Sequence, residues 1–523
     1  MADRSHGGCL TEEGPWSQPA REAAARTYAR ALPIVPVRAR GLTIEGADGR
    51  RYLDCLSGEG TLALGHNHPV VLEAIRKVLD SGAPVHALDL VTPVEDAFVT
   101  ELLRTLPPGL AGHARVRFCG PSDTDALEAA AHLVRAATGR TETLTLTGAH
   151  HATWPHGFGP GLDDPGPDAG APAGVFVQPV RCDGGVAPAP DAWLRRVRHL
   201  TTARSVPLVA DEIETGVGRT GAFWAVEHSG VTPDVMILSK AIGGSLPLSV
   251  LVHHDDLSVR HPATATGPFR ANQLAMAAGT ATLAHVREHH LADHATRLGA
   301  RMLTRLRELA RRFPCVGAAS GRGLLLGLEL VGPGEPRQLT EPGESRAPGE
   351  SRAPGELTGP GELVWLTEPL GLRDPSGRAD LSGGADPLAG TALAGTDLGG
   401  TGPLAGANLL DGADPRGGAS LLASVAPERR PVERRPAGSR LALAVQQECL
   451  RRGLIVDLSG PYSDVIRLLP PLTITDEQAD AVLDRLSDAV ESVARTHPAA
   501  QPLGTSPDIP RPHVPEPAHE DQP

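Results

Sequence analysis

The chain has 523 residues, of which 40% are hydrophobic, so it is long enough for a large α/β subunit or several domains. Its formal charge of −13 argues against nonspecific nucleic-acid binding, and no stretch is long and apolar enough for a membrane span. The N-terminal residues lack the apolar core of a signal peptide. The six cysteines show neither CxxC pairing nor metal-ligand spacing, so we expect a reducing cytoplasm and no metal site.

The N-terminal part of the chain predicts a frayed end followed by a hairpin. Residues 1–19 are polar and are expected to be disordered, and residues 22–31 could form a short helix. A strand at 42–45, a turn at Asp48 and Gly49, and a return strand at 52–56 form the predicted hairpin. His66 and His68 then precede a predicted helix over 70–79. Because no third ligand is nearby, turn and cap roles are favoured over a metal pair.

Helical and strand patterns alternate through the middle of the chain. Helices are predicted at 94–106, 126–137, 191–202, 272–290 and 291–313. Strands are predicted at 116–119, 143–146, 175–177, 208–210, 235–238 and 323–330. This alternation is typical of an α/β fold with a mostly parallel, helix-covered sheet.

A low-complexity segment interrupts this pattern at residues 333–440. The sequence PGESRA occurs twice in tandem, and glycine and proline recur too often for a packed element, so we expect a disordered insertion. A linker or binding arm is the alternative. Order resumes with a helix at 441–452, strands at 453–457 and 465–468, and a final helix capped by Thr475. Residues 498–523 are proline-rich and are expected to be a disordered tail.

Lys240 is the first residue with a predicted chemical role. The apolar run at 235–238 predicts a buried strand, and a tight turn with Gly243 and Gly244 follows the lysine. Desolvation at such a place favours the neutral amine, which attacks carbonyls to form Schiff bases. A lysine that simply reaches solvent at a strand end fits the same pattern.

Three further segments change the interpretation of Lys240. Asp211 ends a predicted buried strand and could keep a pyridine nitrogen protonated. The segment Ser122-Asp123-Thr124 opens a helix, where free backbone N–H groups suit a phosphate. His150 follows a predicted strand and could stack on a planar ring. Each segment alone more often has only a structural role. In this order along the chain, however, they supply a phosphate site, a stacking residue, a pyridine partner and a lysine, which are the groups that pyridoxal 5'-phosphate needs.

The sequence resembles the class III, fold-type I, pyridoxal-phosphate aminotransferases over residues 20–330 and 441–490. The most specific stretches are DEIETGVGRTG at 211–221 and PDVMILSKAIGGSLPLSV at 233–250. Within the family, the sequence at 50–69, 118–130 and 133–140 is most similar to diaminobutyrate–2-oxoglutarate aminotransferases. The resemblance implies pyridoxal phosphate as cofactor and an amino donor and a 2-oxo acid as substrates.

The resemblance also implies roles for individual residues. Lys240 would form the Schiff base with the cofactor, and Asp211 would hold its pyridine nitrogen. Arg467 would bind a substrate carboxylate, although a surface arginine on an edge strand fits its sequence context as well. The other implied cofactor contacts are Ser122, Asp123 and Thr124 at the phosphate, His150 stacking beside His151, Ile213 on the ring, and Glu214 near the phenolic oxygen, where the family usually has glutamine.

Several further positions depart from the family pattern. Asp123 stands where the phosphate loop usually has glycine, and its carboxylate should repel a phosphate unless it turns away. Gln178 and Arg181-Cys182-Asp183 replace the usual residues of a stretch whose glutamate helps to handle two different substrates in one site. His150 replaces tyrosine or phenylalanine. Pro268 replaces a threonine that donates to the cofactor phosphate of a neighbouring subunit, and proline has no hydroxyl or N–H to offer.

The resemblance implies a homodimer with the site between two subunits. The expected large cofactor domain spans 65–325, and a small α+β domain combines 20–64 with 326–332 and 441–497. The implied reaction is transamination between L-2,4-diaminobutyrate and 2-oxoglutarate, giving L-aspartate 4-semialdehyde and L-glutamate, or the reverse. The alternatives are another ω-aminotransferase, of the ornithine or 4-aminobutyrate type, and a catalytically weakened paralogue that binds the cofactor.

Overall fold

The computed structural model describes residues 32–87, 90–146, 171–182, 185–258, 269–270, 272–333, 437–460 and 462–497. The predicted disordered N-terminus, the helix at 22–31, nearly all of the 333–440 insertion and the tail lie outside these residues. His150, His151 and Pro268 lie outside them as well. Among the described helices, none combines the length and apolar character needed to cross a membrane.

The strands belong to four sheets and are numbered in chain order. They are β1 Pro36–Arg40, β2 Thr43–Gly46, β3 Arg51–Asp54, β4 Ala114–Phe118, β5 Thr143–Leu146, β6 Gly174–Val177, β7 Val180–Arg181, β8 Ala187–Pro188, β9 Leu208–Asp211, β10 Val235–Leu238, β11 Val250–His254, β12 Val316–Arg322, β13 Leu325–Leu330, β14 Leu454–Ile455, β15 Asp457–Ser459 and β16 Val465–Leu468. The helices are α1 Pro69–Asp80, α2 Pro93–Leu103, α3 Pro108–Ala111, α4 Asp123–Thr138, α5 Asp191–Ala203, α6 Gln273–Glu288, α7 Leu291–Arg312, α8 Ala437–Arg451 and α9 Asp476–Thr496.

The central sheet has six strands in the order β4-β11-β10-β9-β6-β5. Strands β5, β6, β9 and β10 are parallel to one another, whereas β11 runs antiparallel to both β10 and β4. All four side chains of β10 are fully buried, which explains the uniform apolar run in its sequence. The fold is therefore α/β with one reversed strand in a mostly parallel sheet, as predicted.

Two four-stranded sheets join distant parts of the chain. One has the order β1-β2-β3-β14, so the predicted N-terminal hairpin pairs with a strand near residue 454. The other has the order β12-β13-β16-β15 and is antiparallel throughout. Its inner strand β16 carries Arg467, whose partner across the ladder is Gly327.

Several elements differ from their sequence-based bounds. The predicted strand at 453–457 is divided into β14 and β15, which join different sheets. Strands β11 and β12 were not predicted from the sequence, because β11 ends in two histidines and β12 is rich in glycine, alanine and serine. The cap of the last helix is confirmed, since the Thr475 side chain accepts a hydrogen bond from the Gln478 backbone N–H.

Candidate active site

Strands β9 and β10 bring Asp211 and Lys240 to the same edge of the central sheet. Ile237 lies opposite Asp211 in the parallel ladder, and Lys240 follows two residues after β10 ends. The carboxyl ends of parallel strands form the usual site edge of an α/β sheet. Lys240 itself has φ +51°, in the left-handed region that side chains seldom adopt, and it begins a short 3-10 turn over Lys240–Gly243.

Two glycines let helix α6 pack against the turn that carries Lys240. A Cβ on Gly279 would overlap the carbonyl oxygen of Ile242. Gly244 has φ +56°, and a Cβ there would overlap the carbonyl oxygen of Ala278. The close approach of the two backbones therefore requires glycine on both sides, and it holds the lysine turn in place.

The Lys240 ammonium lies between two carboxylates. Its Nζ is 2.5 Å from Glu214 Oε1 and 3.9 Å from Asp123 Oδ2, and the lysine side chain is only 12% exposed. Although burial lowers the pKa of Lys240, the charges of Glu214 and Asp123 outweigh it, and the pKa of the amine is raised. The prediction of a neutral amine is therefore wrong for this arrangement, because Glu214 lies close enough to stabilise the ammonium form.

Arg467 lies beside Lys240 and is buried between two carboxylates. Its guanidinium donates to Glu214 Oε2 at 2.8 Å and to Asp457 Oδ2 at 2.6 and 2.9 Å. Although burial lowers the pKa of Arg467, the charges of Glu214 and Asp457 outweigh it and raise the pKa. The alternative of a surface arginine on an edge strand is wrong, since the side chain is 10% exposed and β16 is an inner strand.

Asp211 is held by two hydrogen bonds at the end of β9. Its Oδ1 accepts from the backbone N–H of Ile213 at 3.0 Å, and its Oδ2 accepts from the amide of Gln178 at 3.1 Å. The other amide atom of the glutamine, Oε1, is buried without a hydrogen-bond partner among the described residues. An unpaired buried acceptor beside an oriented carboxylate is suited to a ligand that brings its own donors.

The N-terminus of α4 forms the predicted phosphate segment. The Ser122 hydroxyl accepts from the Asp125 N–H at 3.1 Å and donates to the Asp125 carboxylate at 2.6 Å, so the serine side chain caps the helix. The N–H groups of Asp123 and Thr124 occupy the first two helical positions, which have no intrahelical acceptor. The Asp123 carboxylate does not turn away, because it faces Lys240.

Two serines that the sequence analysis missed connect this loop to the lysine strand. The hydroxyls of Ser239 and Ser249 are 2.7 Å apart, and Ser249 also donates at 3.3 Å to the carbonyl oxygens of Pro121 and Ser122. Ser249 is fully buried and directly precedes β11. Since β11 was not expected from the sequence, no sequence signal placed this serine beside the loop.

The structure thus brings most of the predicted residues together. Lys240, Glu214, Asp123 and Arg467 form one charged cluster, and Ile213 hydrogen-bonds Asp211 from an apolar cluster that includes Ile237. Asp457 joins the charged cluster and was missed, because its contact depends on the pairing of β15 with β16.

A comparison with known protein families matches the aminotransferase class-III model to residues 23–154 and 169–345, more than half of the chain. This chain belongs to the class III aminotransferase family. A diaminobutyrate–2-oxoglutarate aminotransferase of Rhizobium meliloti (strain 1021) is 34% identical over 91% of this chain and 92% of its own length. The enzyme of the same name from Haemophilus influenzae is 37% identical over 60% of this chain and 79% of its own length.

Solved structures of low sequence identity share the fold of this aminotransferase chain. The acetylornithine aminotransferase from Elizabethkingia anophelis has a TM-score of 0.60 at 20% identity, covering 90% of this chain and 98% of its own. An ornithine aminotransferase from Toxoplasma gondii has a TM-score of 0.60 at 19% identity, covering 91% of this chain and 94% of its own. Both support the fold-type I architecture that the sequence predicts.

Pyridoxal phosphate is the cofactor of class III aminotransferases, and the residues of this site fit it. Asp211 presents an oriented carboxylate for a pyridine nitrogen, and the unpaired oxygen of Gln178 lies next to it. The free N–H groups at the start of α4 suit a phosphate, and Lys240 lies between that helix and Glu214. Two carboxylates in the first turn of α4, those of Asp123 and Asp125, oppose a phosphate here.

Proposed function

We propose that this aminotransferase moves the terminal amino group of L-2,4-diaminobutyrate to 2-oxoglutarate, giving L-aspartate 4-semialdehyde and L-glutamate, or runs in reverse. The similarity to the Rhizobium meliloti relative, which spans nine-tenths of this chain, supports this choice of substrates. Relatives of the same name in Haemophilus influenzae and Wolinella succinogenes, at 37% and 32% identity, support it further.

The observation that carries the proposal is the position of Lys240 at the carboxyl end of β10. Its Nζ has Glu214 at 2.5 Å, and the ladder places Asp211 beside the end of the same strand. Lys240 and Arg467 share Glu214, and Asp211 ends the strand next to β10, so the amine, the pyridine partner and the carboxylate-binding arginine of this proposal are linked by short contacts and by the sheet. Transamination requires these three groups together.

The bound cofactor supplies an electron sink that stabilises negative charge on the substrate carbon. Lys240 does the proton transfer, because its Nζ, once deprotonated, is a general base of suitable reach. Glu214 is placed to receive or return the proton of that amine, since its Oε1 is the nearest acceptor. Asp211 is oriented through the Ile213 N–H and the Gln178 amide.

Arg467 binds the carboxylate of the substrate in this proposal. Guanidinium groups bind carboxylates in a bidentate manner, and Arg467 already holds Asp457 through two nitrogens. Its third contact, to Glu214, is the one that an incoming carboxylate would replace. Glu214 would then be left with Lys240 alone, so carboxylate binding and the charge state of the lysine are linked.

We infer that the chain is a homodimer with its site between two subunits. Exposed apolar side chains support a covering second copy. Val91 is 90% exposed, Leu90 63% and Phe269 62%. The segment that leads to Leu90 and Val91 contacts the segment that follows Phe269. The Phe269 ring lies 5.8 Å from that of His86, and the Gln273 N–H donates to the Val85 carbonyl at 3.0 Å. Light scattering of the purified protein measures the oligomeric state.

We also infer a division into a large domain near residues 65–325 and a small domain from both chain ends. The pairing of β3 with β14 and of β13 with β16 supports the second assignment. Strand β12 pairs with β13, so residues 316–322 belong with the small domain and the large domain ends before them. The 333–440 insertion would leave the small domain between β13 and α8. Limited proteolysis with mass spectrometry would locate these boundaries.

A cytoplasmic location is part of the proposal and is supported by the cysteines. Cys55, Cys119, Cys182, Cys315 and Cys449 are all buried and free. Free thiols persist in a reducing compartment.

A panel of amino donors tests the proposed substrates. Purified protein with pyridoxal phosphate and 2-oxoglutarate is given L-2,4-diaminobutyrate, L-ornithine or 4-aminobutyrate, and glutamate formation is measured. We expect the highest kcat/KM with diaminobutyrate. Activity on ornithine or 4-aminobutyrate without activity on diaminobutyrate would place the chain with the other ω-aminotransferases. Cofactor binding without glutamate from any donor would support a weakened, binding-only paralogue.

A further inference from the structure

Two histidines and an aspartate meet at the edge of the central sheet opposite the lysine. His254 ends β11, which runs antiparallel to β10, and its backbone N–H donates to the Asp234 carbonyl just before β10 begins. His113 directly precedes β4, and Asp255 directly follows β11. The ligand atoms of His113, His254 and Asp255 all lie within 4.8 Å of one another, and they form the only such group of three among the described residues.

The sheet itself sets the spacing of these three side chains. His254 pairs with Ala114 in the β4–β11 ladder, and the Asp255 N–H continues the ladder with a 2.8 Å hydrogen bond to the His113 carbonyl. The two imidazole rings stack with centroids 5.1 Å apart and an angle of 26° between planes. A ligand set supported by paired strands is more rigid than one on loops.

The distances between the ligand atoms are close to those in a metal centre. Asp255 Oδ1 lies 3.3 Å from His254 Nδ1 and 3.9 Å from His113 Nδ1. In a tetrahedral zinc site with bonds of about 2.0–2.1 Å, two ligand atoms are separated by roughly 3.3 Å. The three atoms lie within 4.8 Å of one another, so the exposed His113 side chain would have to rotate for all three to reach one ion.

The electrostatics around His254 favour a cation at this place. The Asp256 backbone N–H donates to His254 Nδ1 at 3.3 Å, a long hydrogen bond that a metal ion at this nitrogen would have to replace. Two carboxylate oxygens, from Asp255 and Asp256, lie 3.3 and 3.4 Å from the same nitrogen. A lone pair and two anionic oxygens repel one another, and a divalent ion among them would reverse that repulsion.

We propose that His113, His254 and Asp255 form a zinc site. Imidazole nitrogens with one carboxylate are ligands that Zn²⁺ accepts well, and three protein ligands leave the fourth position to water. The ion would tie the start of β4 to the end of β11, far from the chemistry at Lys240. No metal site was predicted from the sequence, because His113 and His254 are far apart in the chain and become neighbours only through strand pairing.

The test uses the cofactor-loaded, full-length protein after removal of metals with a chelator. Co²⁺ is titrated first, because its visible d–d bands report four-coordinate binding, and Zn²⁺ is then used to displace it. The variants are His113→Ala, which removes an exposed ligand, and Asp255→Asn, which removes the charge at nearly the same shape. The control is His290→Ala, since His290 Nδ1 faces Asp293 at 3.7 Å on an exposed surface, and the part of the chain that the structure describes offers no third ligand there.

We expect one saturable site per chain in the parent protein and in the His290→Ala protein. The affinity should fall by roughly tenfold or more in either ligand variant, with loss of the visible bands. Absence of a saturable site in the parent protein would overturn the proposal. Equal affinity in the parent and in both ligand variants would also overturn it, as that result indicates an adventitious ion only. Circular dichroism shows which of the two ligand variants folds, and one folded variant is sufficient for the comparison with the parent protein.

Discussion

Glu214 connects Lys240 to Arg467 through its two carboxylate oxygens. Oε1 accepts from the lysine ammonium at 2.5 Å, and Oε2 accepts from the guanidinium at 2.8 Å. Burial raises the pKa of Glu214, but the charges of Arg467 and Lys240 outweigh it, so the pKa of this carboxyl is lowered. One buried negative charge therefore holds the amine protonated and occupies the arginine that a substrate carboxylate would bind.

Replacement of Glu214 by glutamine, the usual residue of the family at this place, should speed cofactor uptake at neutral pH. Glu214 is the strongest of the influences that raise the pKa of Lys240. Without it the pKa falls, so the neutral amine that reacts with an aldehyde is more abundant at every pH. The pH dependence of pyridoxal-phosphate incorporation, followed by visible absorbance, should shift to lower pH in Glu214→Gln.

The matched control is Glu73→Gln. Glu73 pairs with Lys77 at 2.8 Å on an exposed face of α1, so it is a glutamate–lysine contact outside the site. Its uptake profile should match that of the parent protein. An unshifted profile in Glu214→Gln would contradict the assignment of this carboxylate as the partner that protonates Lys240.

Arg467→Lys should weaken substrate binding while the protein stays folded. Lysine keeps the charge between Glu214 and Asp457, but it loses the bidentate geometry. Loss of a charge-assisted pair worth about 1.5–3 kcal/mol predicts a KM for 2-oxoglutarate that is roughly 10–100-fold higher. Steady-state kinetics measure this change.

Arg322→Lys provides the comparison for that variant, because Arg322 pairs with Asp191 at 3.1 Å and has no place in the charged cluster. Its KM should be unchanged. Equal KM values for the Arg467→Lys and parent proteins would argue that another residue binds the carboxylate.

Gly279→Ala should destabilise the lysine turn, despite the better helix propensity of alanine. Propensity alone predicts a gain of about 1 kcal/mol. The new Cβ, however, would overlap the Ile242 carbonyl oxygen in the turn that follows Lys240, and a backbone atom cannot move aside locally. We expect a net loss of roughly 1–3 kcal/mol and faster release of the cofactor, measured by denaturant unfolding and by dialysis.

Gly112→Ala is the corresponding control, since a Cβ at Gly112 meets nothing within 4 Å. It should change the free energy of unfolding by less than about 0.5 kcal/mol. A Gly279→Ala protein as stable as the parent would mean that α6 and the lysine turn can separate without cost.

Glu212 should make the protein less stable as the pH rises towards neutrality. Burial raises the pKa of this carboxyl from 4.5 to about 7, while its hydrogen bonds with Thr215 and the Val226 N–H oppose that shift. A pKa that is higher in the folded state gives a contribution present below pH 4.5 and lost as the pH rises through about 7. The total loss is about 3 kcal/mol.

Thermal unfolding of Glu212→Gln at several pH values checks this expectation. Glutamine keeps the shape without the charge, so its melting temperature should depend less on pH between 4.5 and 7 than that of the parent. Parallel pH profiles for the two proteins would show that Glu212 does not titrate in this range.

The sequence predicted the elements whose patterns are local. Strands β5, β10 and β16 have the predicted bounds, because each is a short run between clear turn signals. Lys240 and Asp211 were placed in one site from the order of the segments along the chain and from the family resemblance, and the structure adds that β9 and β10 bring them to one edge of the sheet. Strand β11 was not predicted. The reversed direction in the sheet and the contacts of Ser249 with the loop before α4 were therefore not predicted either.

The parts of the site that the sequence did not predict depend on distant pairing. Glu214 is far from Arg467 in the chain, and their contact follows from the positions of β16 and of the loop after β9. Asp457 reaches Arg467 only because β15 pairs with β16 in one register. A desolvated lysine was expected from local burial, whereas its charged state depends on a carboxylate whose direction no sequence pattern gives.

The most direct test of the proposed transamination is the absorbance of the cofactor-loaded protein during each half-reaction. Addition of L-2,4-diaminobutyrate should bleach the visible band of bound pyridoxal phosphate, and subsequent addition of 2-oxoglutarate should restore it with one glutamate formed per site. Lys240→Ala should show neither change at a comparable rate. A band that diaminobutyrate leaves unchanged in the parent protein, or that bleaches and recovers equally fast without Lys240, would contradict the account.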